Sequence, residues 1–417
     1  MRILQVIHQF FPDRVGGTEV YTQSLAKALI ACDHQVAVFH RAPGRPGLVR
    51  GEWEGVPTYR ACAGPMTPWS VFRATFGEPG LERAFSETLD DFRPDVIHVQ
   101  HLMGLPVSLV TQVQRRRLPL ALTLHDYWFI CANAQLLTND DQRICQGPRY
   151  GGVNCARCAL ARAGVPFLWP GAPMLMPLFL MRSRSLRRVL DQMALIIAPS
   201  RFLQERIAAW GVAPERLLYL PHGIDVSGAL PRSPRAVGPR RFAYIGGLAF
   251  QKGVHVLIEA FNDLDRDATL EIYGDPTQFP QYCQQLSAMA RSPQITFGGR
   301  LDRAGVWRVL SEIDALLVPS VWYENAPVVI QEALVAKVPV IASGLGALSE
   351  WVQDGVNGLL VPPGSAAAWR LALQRLVDEL NLLSHLQGNI HPPMMLAEHV
   401  SRIESLYHEL VDRNLRS

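Results

Sequence analysis

VPSVWYENAPVVIQEALVAKVPVIAS, residues 318–343, carries the pattern from which the rest of the chain can be read. It begins at the end of an apolar run, Ala315–Pro319, and passes through a short loop, Ser320–Pro327. A helical pattern, Val328–Ala336, and a second apolar run, Val338–Ala342, follow. That order is a βαβ unit, and its parallel strands require helices on both faces. Glu324 lies in the loop and Glu332 in the helix, with seven residues between them. Ligands of open α/β sheets bind beyond the carboxyl ends of the strands, which puts Glu324 at that edge and lets Glu332 face the same crevice. Two carboxylates facing one pocket suit a polyhydroxy ligand, because each oxygen accepts hydrogen bonds. A surface glutamate beside a solvated helix glutamate is the plainer alternative.

The same rhythm extends outward. On the N-terminal side of the stretch, the strand Phe242–Ile245 meets Gly246–Gly247, and Lys252–Gly253 precede the helix Val254–Phe261. Strands at Thr269–Tyr273 and Ile295–Phe297 and a helix at Ala304–Ile313 lead back to it. Beyond it stand Gly344-Leu345-Gly346, a strand at Gly358–Val361, a long helix Ala366–Leu380 and an amphipathic helix over His399–Leu410. The first half has a strand Ile3–His8, a loop Gln9–Val15, then Gly16-Gly17-Thr18-Glu19 opening a helix for which Thr18 is the expected N-cap. Gln35–Phe39, Asp95–Val99, Leu118–Leu124, Leu195–Pro199 and Leu217–Leu220 read as further strands, and His125-Asp126 stands at the tip of one of them. The Pro-, Arg- and Gly-rich stretch 226–241 is the natural linker. Glycine-flanked helix starts with Lys252 beside one of them are equipment for a diphosphate. Together with Glu324 and Glu332 they describe a nucleotide-sugar site.

Composition excludes some classes. Forty basic against thirty-seven acidic residues leave a net charge of +3, which gives no electrostatic footprint for nucleic acid. MRILQVIHQF has a short apolar stretch without a small-residue cleavage site and reads as a strand, so a cytoplasmic location is expected. Four of the seven cysteines, Cys131, Cys145, Cys155 and Cys158, fall within residues 127–163, where the α/β rhythm breaks. Cys155-Ala-Arg-Cys158 with two further thiols could fill a structural zinc site, but no second CxxC supports it, and reduced loop thiols are the preferred reading. The run 164–181 carries prolines at 166, 170, 173 and 177, which argue against a membrane-spanning helix. Arg182, Arg184, Arg187 and Arg188 follow, so 164–188 reads either as a peripheral contact with an anionic membrane surface or as a packed loop before a solvated helix face.

Glu324-x7-Glu332, the Gly246–Gly253 segment, Gly355–Gly364, Gly16–Glu19, Ala198-Pro199-Ser200 and His222-Gly223-Ile224-Asp225 together resemble family 4 retaining glycosyltransferases of the GT-B fold. The likeness covers nearly the whole chain and is more specific in its second half. It implies an α/β protein of two Rossmann-like, doubly wound domains facing across a cleft. The expected boundaries are 1–225 for the acceptor-side domain with a cysteine-bearing insertion at 127–181, 226–241 for the linker, 242–390 for the donor domain, and 391–417 for a helix crossing back. Carried over by position, Lys252 would bind the donor diphosphate, Glu332 the ribose, Glu324 the transferred sugar, and His125 would lie beside that sugar. The backbone at Gly16–Gly17 and Gly246–Gly247 would approach phosphates, and Asn325, Ala326, Leu345 and Gly346 would complete the donor pocket.

Where many relatives carry an arginine after the first glycine of the 246–253 motif, this chain has Gly247, so the diphosphate charge would rest on Lys252, on N–H groups or on a basic residue the sequence does not place. The resemblance further implies retention of anomeric configuration without a metal or other cofactor. Asp263-x-Asp265 ends a helix away from the crevice, which argues against a metal role for it. The expected partners are a nucleoside-diphosphate sugar and a sugar or lipid-linked acceptor in surface polysaccharide or glycolipid synthesis. A nucleotide-sugar epimerase, with His125 and Glu324 as acid–base groups, and a non-catalytic sugar-nucleotide-binding subunit are the alternatives.

Overall fold

The computed structural model describes residues 1–13, 16–233, 238–379 and 381–416. The end of the loop at 14–15, the middle of the linker at 234–237 and Leu380 lie outside them. The chain divides into two compact units, Met1–Gly223 with Leu396–Ser417, and Ile224–Met395.

The second unit shows most directly how sequence becomes sheet. Its strands are β9 (Arg240–Ile245), β10 (Ala268–Tyr273), β11 (Ile295–Gly299), β12 (Ala315–Val318), β13 (Val340–Ser343) and β14 (Gly358–Val361), all parallel, in the order β11-β10-β9-β12-β13-β14. Side chains alternate between the two faces of a strand. Ala315 and Leu317 of β12 therefore enter one apolar core, with Phe242, Phe261 and Trp369, while Leu316 and Val318 enter another, with Trp307, Ile330 and Leu348. Both faces are apolar, which is why β12 and β13 read as unbroken hydrophobic runs rather than alternating ones. The strand order reverses direction between β9 and β12, and the loops that leave these two strands carry Lys252 and Glu324. Of the expected linker, residues 226–233 pack on this unit: Arg232 donates to the carbonyls of Ile313 (2.8 Å) and Lys337 (3.1 Å), and the Ser233 amide to Ser311 O (3.0 Å).

In the first unit, β1 (Arg2–Ile7), β2 (Gln35–Ala42), β3 (Gly47–Trp53), β4 (Val56–Cys62), β5 (Val96–Val99), β6 (Leu120–Thr123), β7 (Leu195–Ala198) and β8 (Leu217–Tyr219) form one sheet in the order β3-β4-β2-β1-β5-β6-β7-β8. Only β3 runs antiparallel, in a hairpin with β4 that the sequence reading missed. Glu54 and Gly55 at its turn both have positive φ (46° and 84°), the geometry that matches strand twist in a two-residue hairpin. β3 itself is largely exposed and shows no apolar alternation, so it left no periodic signal. The C-terminal helix Leu396–Arg416 belongs to this unit and buries Val400, Ile403, Tyr407 and Leu410 at helical spacing.

Two local expectations are corrected. The helix Gly17–Ala31 is capped by Gly16 in extended conformation, and Thr18 lies inside its first turn, where its carbonyl accepts the Thr22 hydroxyl at 2.7 Å. The proline-bearing run is not all loop either: Ala172–Gln192 is one helix of 21 residues. Pro166 and Pro170 sit in a short turn before it and Pro173 in its first turn, where no amide donor is needed, leaving Pro177 alone in the interior. No helix among the described residues is long and apolar enough to cross a membrane.

Candidate active site

In the second unit the chain leaves β9 at Gly246–Gly247, where the Tyr244 hydroxyl donates to Gly247 O at 2.7 Å. It then makes a single tight turn, Phe250–Lys252, and enters the helix Val254–Asn262 through Gly253. Gly253 is required there twice over: its φ is +72°, and a Cβ would stand 2.0 Å from Pro319 O, at the end of β12. That close approach sets Lys252 against the loop after β12. Its ammonium donates to Glu324 Oε1 at 2.7 Å, and the same oxygen accepts from Ser320 Oγ (2.7 Å) and Trp322 Nε1 (2.9 Å). The ammonium also lies 5.2 Å from the centre of the Trp322 ring. Burial alone would raise the Glu324 carboxyl, but the charge of Lys252 and the three hydrogen bonds outweigh it and leave the group below its ordinary value. Glu324 is therefore an ionised carboxylate with one oxygen saturated.

Glu332 is placed differently. It is buried on the helix Val328–Val335, and its one close cation is Arg303, whose Nη1 donates to Oε1 at 3.2 Å while Nη2 donates to Asp225 O at 2.6 Å. Burial pushes the Glu332 carboxyl up to about 7, and Arg303 pulls against it without cancelling it. Arg303, the first residue of the helix Arg303–Glu312, was not singled out from the sequence; a cation at the start of a helix after a strand is its only local signal. It supplies a second basic group in the unit where Gly247 leaves none, and Gly247 itself has open space where a side chain would project. Of the remaining donor-pocket residues, Asn325 is buried beside Glu324 and Ala326 is half-buried before Pro327, which caps the Glu332 helix. Gly346 has φ +57°, and the Leu345 amide is turned inward to Ser343 O at 2.8 Å. Asp263 caps the far end of the Val254–Asn262 helix, at the opposite end from Lys252.

In the first unit the ends of β1, β5 and β6 gather imidazoles instead of charges. His8 after β1 and His101 after β5 have ring centres 4.4 Å apart, and His101 Nε2 is 3.0 Å from Asp126 Oδ2. His125 after β6 bonds Gln100 Oε1 through Nε2 at 2.9 Å, and Gln100 in turn donates to Gln5 Oε1 at 3.1 Å. That chain makes Nε2 the protonated nitrogen and leaves Nδ1 as an acceptor. Tyr21 packs against His125 (5.1 Å), His222 (4.1 Å) and His399 (5.6 Å), and bonds His399 Nε2 through its hydroxyl at 2.8 Å. Burial, reinforced by His222, His101, His98 and His8, holds His125 well below the ordinary imidazole value, so it is neutral at pH 7. Gly16 and Gly17 open the Gly17–Ala31 helix in this unit, where no side chain caps the first turn, and a Cβ on Gly16 would meet the buried Glu19 carboxylate at 2.7 Å.

The four insertion cysteines lie around one cavity and are free thiols. Burial raises Cys155 to about 12 and Cys158 to about 11, which keeps both protonated, and no group of three or more His, Cys, Asp or Glu among the described residues could hold a metal ion. The model of Glycosyltransferase Family 4 matches residues 15–227, and that of Glycosyl transferases group 1 matches 239–379. Glycogen synthase of Mycobacterium tuberculosis is 25% identical over 399 residues, 91% of this chain and 86% of that protein. Sucrose-phosphate synthase from Thermosynechococcus elongatus superposes with a TM-score of 0.72 at 20% identity over 99% of both chains. HepE of Anabaena, solved with UDP and glucose, does so at 0.68 and 17% identity over 98% of this chain and 100% of its own. The chain is thus a glycosyltransferase of GT-B type and belongs to glycosyltransferase family 4.

Proposed function

We propose that the chain is a retaining hexosyltransferase that uses a nucleoside-diphosphate sugar and needs no metal. The observation that carries this reading is the convergence of Lys252 and Glu324 at the point where the donor sheet reverses its strand order. In α/β sheets that point is where nucleotides are held. The roles follow from charge. Lys252 opposes the negative charge that grows on a departing diphosphate, and Arg303, paired with Glu332, is a further cation of the same unit. Glu324, held as a carboxylate by three donors, accepts from hydroxyls of the transferred sugar, and Glu332 accepts from the ribose. His125, with Nδ1 as acceptor, suits a sugar hydroxyl as well.

Glu324 Oε1 is occupied by Lys252, Ser320 and Trp322, which favours a route without a covalent glycosyl-enzyme. The acceptor oxygen then bonds to the anomeric carbon on the face from which the C–O bond to phosphate breaks, and its proton passes to the leaving diphosphate. The acceptor belongs to surface polysaccharide or glycolipid synthesis, met at the cytoplasmic face of a membrane. A thermal-shift screen against UDP-, GDP-, ADP- and TDP-sugars with and without EDTA tests the donor half. One nucleotide class should raise the melting point, EDTA should leave that shift unchanged, and Lys252→Ala and Glu332→Ala should abolish it. Conversion of the nucleotide sugar without any acceptor would instead make it an epimerase, and a glycosyl group trapped on Glu324 or Asp126 would overturn the single-step route.

A further inference from the structure

Within the insertion of the first unit, Ala156, Ala172 and Phe179 form a small buried apolar cluster, and beside it lies a cavity of about 400 Å³. Trp69 and Phe72 of the helix Pro68–Ala74 line it together with Leu160, Leu175, Leu178 and Phe179. The four cysteines complete it, and Cys155 and Cys158, kept protonated by burial, behave as small apolar groups. Interiors are normally packed without voids of this kind, and a cavity of this volume and lining is of ligand size. It is lined by no carboxylate but by two guanidiniums, Arg162 and the buried Arg182, which donates to Trp128 O and stacks over the Trp128 ring at 5.0 Å.

The outside of the same element is unusual in the complementary way. The helix Ala172–Gln192 turns Leu175, Leu178 and Arg182 to the cavity, while Met174, Pro177, Met181, Arg184 and Arg188 recur at three- and four-residue spacing on an exposed stripe. Just before it, Phe167 (71% exposed) and Trp169 (58%) stand in solvent, as does Met174 (84%). A contiguous apolar surface rimmed by cations marks a site of interaction. From Gln142 to Leu190 the chain has eight arginines and no acidic residue. An apolar edge with tryptophan, followed one turn on by arginines, is the arrangement that lies in the headgroup region of an anionic bilayer.

We propose that the insertion seats an anionic lipid: its apolar edge enters the membrane surface, the arginines hold phosphate, and one hydrocarbon chain fills the cavity. This deepens the function proposed above by making the acceptor side amphiphilic, and rests on it only for the acceptor's identity. The test uses the full-length chain and vesicles of phosphatidylcholine alone or mixed with a phosphatidylglycerol that carries a diazirine at its chain end. Photolabel should appear in peptides 68–75 and 172–182 with the anionic vesicles, and Leu178→Trp and Leu160→Trp, which fill the cavity from two different helices, should cut it about tenfold. Arg184→Glu with Arg188→Glu should weaken co-sedimentation about tenfold or more. The thermal shift with nucleotide sugar should survive all of these variants, and its absence in the parent chain would count against the donor reading alone. Labelling unchanged in both tryptophan variants, equal labelling from a zwitterionic phosphatidylcholine bearing the same diazirine, or displacement by inorganic phosphate would each overturn the proposal.

Discussion

The two units place their loops on the same topological plan and fill them with opposite chemistry. At the β9/β12 reversal the second unit sets Lys252 on Glu324 and Arg303 on Glu332, two cation–carboxylate pairs at 2.7 and 3.2 Å. At the ends of β1, β5 and β6 the first unit sets His8, His101 and His125, with His98, His222 and His399 packed behind them. Fixed charges suit a diphosphate, whose own charge must be balanced. Imidazoles such as His8 and His125, which burial keeps neutral, offer hydrogen bonds without net charge and suit a hydroxylic ligand. One sheet plan therefore carries two different chemistries because the loops, not the sheets, hold the polar groups.

The contrast breaks most sharply at Lys252. Lys252→Ala leaves the buried Glu324 carboxylate with neutral donors only and removes the charge that opposes the departing phosphate. A fall in kcat/KM of about 10²–10³ is expected, with a lowered melting point, read by steady-state kinetics and thermal unfolding. Gly253→Ala strikes the same pair through the backbone. The added Cβ meets Pro319 O, so the loop must shift, at about 1–3 kcal/mol or more, and Lys252 moves with it. Denaturant unfolding should show the loss of stability together with reduced donor affinity.

Glu332→Gln is a smaller change, weakening donor binding by about tenfold as an increase in KM. It also has a pH signature. The Glu332 carboxyl titrates at about 7, so acceptance of ribose hydroxyls by the carboxylate should strengthen as pH rises through that value, and the variant should flatten that limb of the pH profile.

The smallest effect separates the units by acid. His98 is lowered to about 3 and His399 to about 4, with burial the first cause in each, and His8, His125 and His222 are lowered too. Between those values and 6.5 the unfolded chain binds protons that the folded one does not, so the first unit's stability is complete above pH 6.5 and is lost progressively below it. Glu332 runs the other way. Its folded value of about 7 exceeds the ordinary 4.5, so it imposes a cost above pH 7 that is relieved as pH falls toward 4.5. Hydrogen exchange corrected for intrinsic rate should show the first unit opening at pH 5 before the second, and equal loosening of both would remove the comparison.

How much was legible beforehand follows the range of each signal. Lys252, Glu324 and Glu332 were readable because each stands in a short motif beside a strand whose apolar run marks it. The β3–β4 hairpin was not, since its outer strand is exposed and carries no period. Arg303 was missed because its partner is 29 residues away, and no pattern at that distance marks a pair. The prolines of 164–181 were read as arguing against a membrane-spanning helix, and most of them fall where the helix Ala172–Gln192 begins, a start that composition alone did not locate.

The sequence alone thus determined the α/β class, the doubly wound plan of the second unit and the motifs that carry Lys252, Glu324 and Glu332, because strand and helix periods are local and motif spacing is short. Only the tertiary structure decided which cation meets which carboxylate. It alone brought together six histidines from positions 8 to 399 and opened a cavity behind the four thiols. Those features depend on which chain segments pack side by side, and packing is set by the whole fold rather than by neighbours in sequence.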